Sequence, residues 1–87
     1  MSDAEKIAIL FEEKMKIYID SMVDVNEVDR WTEIVFAQLE AAIVEINPID
    51  KIEMVEVLEY LSPKLYSIKA DFYSKILSLQ SKAISKE

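Results

Sequence analysis

The chain contains no cysteine, no histidine and no glycine among its 87 residues. Each absence closes a class of chemistry. Without cysteine there are no disulfides, thiolate nucleophiles or thiolate metal sites. Without histidine the commonest general base and the commonest metal ligand are missing too. Without glycine, the phosphate-cradling loops of P-loop and dinucleotide-binding proteins are excluded, because their turns lean on a residue that tolerates left-handed backbone. No stretch reaches the ~20 apolar residues that span a bilayer, and the start Met1-Ser2-Asp3-Ala4-Glu5 lacks a basic segment followed by an apolar run. These features predict a cytoplasmic protein with no membrane association. The length predicts one helical domain over residues 1–87, near the lower limit at which a single core holds without disulfides or metal.

What remains is helix-forming sequence with clear punctuation, and it predicts an all-α, compact four-helix bundle with helices over about 3–22, 26–46, 48–61 and 63–85. Ser2-x-x-Glu5 has the form of a capping box. Ala4, Ile7, Ala8, Phe11, Met15, Tyr18 and Met22 then recur on one helical face. Asp24 to Glu27 offers two possible N-caps for the second helix, which Asn47-Pro48 ends. Pro48 opens a short third helix whose core face is Met54, Val57, Leu58 and Leu61, and Ser62-Pro63 repeats the device for a fourth. No segment alternates apolar and polar residues with period two, so no sheet is expected.

The second and fourth helices carry more apolar surface than one core contact needs. At 100° per residue, Val28, Trp31, Val35, Leu39, Ala42, Ile43 and Ile46 form a main stripe, and Ile34, Ala37, Ala41 and Val44 form another behind it. On the fourth helix Leu65, Ile68, Phe72, Ile76, Leu79 and Ala83 make one stripe. Tyr66, Ala70, Tyr73, Leu77 and Ile84 make its neighbour, and a Ser/Lys face completes the circumference. One explanation is that both helices are central and touch two neighbours each. The other is that Ile34, Ala37, Ala41, Val44, Tyr66, Tyr73 and Leu77 bind a partner, because apolar stripes of this size are covered by the fold or by another chain. Trp31, beside Arg30, is expected to cap the core, its indole N–H meeting water or a carbonyl; the alternative is an interface anchor, a role in which Trp, Tyr and Arg are enriched.

Charge is uneven. Residues 1–61 hold fifteen acidic and five basic side chains, whereas residues 62–87 hold five lysines against two acids. The last helix is therefore expected to complement the acidic helices within the fold. Direct nucleic-acid binding is not expected, because arginine and interleaved aromatics are missing from the Lys face and the formal net charge is −7. The opposite idea, an acidic inhibitor or DNA mimic filling the basic groove of a nucleic-acid enzyme, rests on Asp50, Glu53, Glu56 and Glu59, spaced by three. That ridge would carry four charges over ~14 Å, where duplex DNA carries about eight. Carboxylate pairs such as Glu53/Glu56 have no histidine to complete a di-metal or acid–base site, so neither catalytic residues nor a metal or cofactor is expected.

An acidic, glycine-free, all-helical chain of about 10 kDa that ends in the Lys/Ser-rich segment Ser62 to Glu87 resembles the small accessory subunits of crenarchaeal B-family DNA polymerase holoenzymes. The likeness is one of size and composition along the whole chain and carries no motif, so it transfers no site residues. It implies a non-catalytic, stabilising role in DNA replication. Together these considerations predict a helical protein–protein interaction module that docks on a larger protein or on a copy of itself.

Overall fold

The structure, a computed structural model, describes residues 1–85, with side chains to residue 82. Among these residues the chain forms α1 (Asp3–Ser21), a 3-10 helix (Val25–Arg30), α2 (Trp31–Ile46) and α3 (Met54–Ser85), with no strand. The all-α class is as expected. The four-helix bundle is not: there are three α-helices, and the two helices expected over 48–61 and 63–85 are one.

α1 follows its sequence signals closely. The Glu5 N–H donates to Ser2 Oγ at 3.2 Å, as a capping box requires. Ala4, Ile7, Ala8, Phe11, Met15 and Met22 are buried, Ile19 joins them, and Tyr18 is half-buried. Asp24 then caps the next segment by accepting from the Asn26 N–H at 2.9 Å. The turn that follows is 3-10 rather than α, and α geometry begins only at Trp31. Val25, Asn26, Val28 and Asp29 are all weak helix formers, which favours the tighter, shorter helix there. The Tyr18 hydroxyl donates to the Glu27 carboxylate and ties this segment back to α1.

α2 ends on Asn47, whose φ of 49° makes it the one described non-glycine residue with left-handed backbone. Its N–H donates to the Ile43 carbonyl at 2.9 Å. A chain without glycine gives this position to asparagine, the next most tolerant residue. Pro48 does not start a helix. Residues 47–53 serve instead as the link to α3, because the α2 and α3 backbones nowhere approach within 8 Å (Cα–Cα) and the chain must cross that gap. Ile52 reaches back to the core, whereas Ile49 is 99 % exposed.

Pro63 lies inside α3. An interior proline removes one backbone hydrogen bond and crowds the carbonyl four residues earlier, at a cost of ~3 kcal/mol. Val57 and Leu61 before it and Ile68 after it are all buried on one face. At about 1.5–3 kcal/mol for each large side chain, holding that face in one continuous helix outweighs the proline. Of the core face expected for a separate third helix, Val57 and Leu61 are buried, and Met54 and Leu58 sit at its exposed edges.

The helices run up, down and up. Lys14 Nζ meets Glu45 at 2.7 Å, so α2 is antiparallel to α1. Lys64 Nζ meets Glu12 at 3.4 Å and Lys75 Nζ donates to the Asp20 carbonyl at 3.1 Å, so α3 is parallel to α1. α1 packs on both neighbours and is the hub of the molecule. Between α2 and α3 the gap is filled by large side chains, with the Trp31 and Phe72 rings tilted at 54° and their centroids 4.5 Å apart. α3 is ~48 Å long against ~28 Å for α1. It overhangs the far end of α1 and sets the long dimension of 54 Å.

Candidate functional site

With Ile68, Phe72 and Ile76 of α3 turned into the core, the 100° advance per residue carries Tyr66, Ala70, Tyr73 and Leu77 round to the outside. Tyr66 is 86 % exposed, Leu77 65 % and Tyr73 51 %, and Ala70 is exposed with them. Further up the same row come Ser62, Glu59 and Val55, the last 69 % exposed. From Ser62 to Leu77 the row carries no charge. Lys69 borders it, with its ammonium 5.8 Å from the Tyr73 ring centroid. Beside this lysine a shallow depression of about 200 Å³ is walled by Val28, Trp31, Lys69, Phe72 and Tyr73. Trp31 is half-buried there, its ring on Phe72, in keeping with the core-capping role expected of it. The side chains of Ala83 and Ile84, expected to extend the two α3 stripes, lie outside the described residues.

The second helix differs from expectation at both of its stripes. Val28 is 38 % exposed and lies in the 3-10 segment, so the main stripe begins at Trp31. Ile34 is 3 % exposed and belongs to the core, so it does not sit on an outer stripe with Ala37, Ala41 and Val44, which are exposed. Trp31 and Ile34 both turn inward because the core arc of α2 is filled from two sides, by α1 and by side chains of α3. The outer row is instead Phe36, Glu40 and Val44 at i, i+4 and i+8, bordered by Ala37 and Ala41. Phe36, which belongs to neither of the stripes expected from the sequence, is legible only from that angular row. A carboxylate stands at its centre.

The acidic ridge of Asp50, Glu53, Glu56 and Glu59 is not formed as a ridge. All four are exposed, but Asp50 and Glu53 lie in the linker, and only Glu56 and Glu59 share a helix. Without one helix under them, the spacing by three no longer aligns the four groups. Among the described residues no cluster of three or more potential ligands is placed to hold a metal ion.

Of the α3 lysines, Lys64 meets the Glu12 carboxylate as the charge asymmetry suggests, whereas Lys75 donates to the Asp20 backbone carbonyl; both tie α3 to α1. Among the described residues two titratable groups are clearly perturbed, Tyr18 of α1 and Arg30 of the 3-10 segment it is tied to. Burial raises the Tyr18 hydroxyl above its ordinary value, and the hydrogen bond and negative charge of Glu27 push in the same direction. Arg30 is held more firmly protonated by its hydrogen bond to Glu33 at 3.2 Å, with Glu27 adding to the effect. Both interactions anchor the segment that leads into α2.

No helix among the described residues is long and apolar enough to cross a membrane. Comparison of the chain with protein-family models, with curated proteins and with solved structures finds no significant match.

Proposed function

We propose that the protein is a non-catalytic helical interaction module that docks on another protein through the outer face of α3. The observation that supports this reading is the uncharged row Ser62–Tyr66–Ala70–Tyr73–Leu77, whose large members stay more than half exposed on a helix already packed on its opposite side. Leaving such side chains in water forgoes ~1–2 kcal/mol of burial each, a large share of the stability of a chain this small. Tyrosines flanked by a lysine and small residues are the composition expected of a binding face with defined anchors. The resemblance in size and composition to polymerase accessory subunits implies that a larger partner would be a DNA polymerase, with this chain as its stabilising subunit.

In-cell cross-linking tests the reading. The full chain carries a photoreactive amino acid at Leu77 or, as a control, at Glu13 on the exposed side of α1. Protein adducts from position 77 and none from position 13 support it. No adducts from position 77, or equal adducts from both, overturn it.

A further inference from the structure

A docking role for the outer face of α3 leaves open which protein covers that row. We propose that the cover is a second copy of this chain, with α3 pairing antiparallel to its counterpart about a twofold axis that passes between Lys69 and Ala70. The dimer rests on the docking role and deepens it.

The first reason is self-complementarity. A twofold helix pair must match one surface against itself, so large residues need to fall opposite large residues they can stack on, or opposite small ones. The register that sets Tyr66 against the second copy's Tyr73 also sets Leu77 against Ser62 and leaves Ala70 beside the axis. Tyrosine then stacks on tyrosine twice, leucine fills the space over serine, and alanine lets the backbones come close where they cross.

A second reason is charge. Nothing ionised lies within the row from Ser62 to Leu77, so pairing buries no unmatched carboxylate or ammonium. The outer face of α2 fails this condition, because self-pairing there would bring Glu40 of both copies together in the middle of the contact. The two Lys69 side chains lie along one edge of the α3 pair and outside the uncharged row, each with its ammonium 5.8 Å from the centroid of its own Tyr73 ring.

The third reason is area. Tyr66, Tyr73 and Leu77 expose 86 %, 51 % and 65 % of their surface. At ~200 Å² for a whole tyrosine and ~150 Å² for leucine, they present roughly 370 Å² of apolar surface per copy. A standard interface buries about 800 Å² per partner, and in homodimers some 65 % of it is apolar, or about 520 Å². The row supplies most of that.

Light scattering and sedimentation equilibrium on the full chain read the assembly state directly. The expected result is a species of twice the 10.1 kDa chain mass. Tyr73→Glu weakens the dimer at least about 100-fold while the chain stays helical and cooperatively folded by circular dichroism. Because no opposite charges attract across the contact, affinity holds or rises as salt is increased. The absence of native cysteine makes the register testable as well. In an equilibrating mixture of Ser62→Cys and Leu77→Cys chains, disulfides form between unlike variants, whereas a parallel pair would join like to like. A chain that stays monomeric up to ~1 mM, a dimer indifferent to Tyr73→Glu, or a mixture that joins like to like overturns the proposal. A monomer that still cross-links a different protein through position 77 removes the second copy alone and leaves the docking role of α3 standing.

Discussion

Replacing Pro63 with alanine is the sharpest check on the continuity of α3. Pro63 sits on the exposed side of the helix, well inside its N-terminal end at Met54, so the substitution disturbs no core contact. Alanine restores an N–H that can donate to the Glu59 carbonyl and removes the ring that crowds it, together worth ~3 kcal/mol. Against this, the unfolded chain regains about 0.4–1 kcal/mol of conformational freedom. The net expectation is a gain of about 2 kcal/mol. For a domain of this size that corresponds to a rise of roughly 8–16 °C in Tm. Urea and thermal unfolding followed by circular dichroism measure it, and amide exchange shows whether the new N–H at position 63 is protected. If Ser62-Pro63 instead opened a separate helix, the proline would occupy a first-turn position where its fixed φ helps. Pro63→Ala would then leave stability unchanged or lower it by up to ~1 kcal/mol. That result would refute a single helix from Met54 to Ser85.

Three further outcomes are expected from the geometry. Ile34→Ala should cost about 2–4 kcal/mol by urea titration, and Val44→Ala less than about 0.5, since one residue is buried and the other 71 % exposed; equal costs would return Ile34 to the outer face. Asn47→Ala should destabilise by ~1 kcal/mol and Asn47→Gly should not, because only the first forces a Cβ unsuited to φ 49° into left-handed backbone. Tyr18→Phe should cost about 1 kcal/mol at neutral pH through loss of the bond to Glu27. The folded-state pKa of Tyr18 is raised, so its contribution is complete below the ordinary tyrosine value near pH ~10 and fades as pH climbs through the raised one. The difference between wild type and Tyr18→Phe should therefore close only above about pH 10, and a gap that closes below about pH 9 would contradict it.

Much of the helical layout was legible because periodicity and capping act locally. Ser2 and Glu5 and the run from Ala4 to Met22 carry their own instructions, and α1 obeys them. The errors arise where a local signal competes with tertiary packing. Ser-Pro is a good helix start in isolation, but Val57, Leu61 and Ile68 bury on one face only if the helix runs through it. Asn47-Pro48 likewise stops α2 but does not start α3, because the distance between the two helices consumes the residues that would have formed the first turns. Angular position alone separated the described members of the α3 stripes correctly, with Ile68, Phe72 and Ile76 buried and Tyr66, Ala70, Tyr73 and Leu77 exposed. On α2 it misassigned Ile34, since a core filled from two neighbours claims a wider arc than one helical stripe, and nothing in the α2 sequence states how many neighbours there are. The acidic ridge failed for the same reason as the third helix: its spacing carried meaning only on a helix that does not form there.

The hub position of α1 has a consequence for how the chain acquires its structure. The α1–α2 hairpin joins neighbours in sequence, and its loop closes quickly at small entropic cost. The α1–α3 contacts, by contrast, bridge gaps such as Glu12 to Lys64 and Asp20 to Lys75. During synthesis the hairpin is therefore complete while the side of α1 that receives α3 is still bare. The last third of the chain then docks on a preformed two-helix template, in a step set by how soon α3 leaves the ribosome. Until that moment the hairpin shows an unfilled apolar channel, the window in which this protein is most exposed to aggregation or to capture by a chaperone.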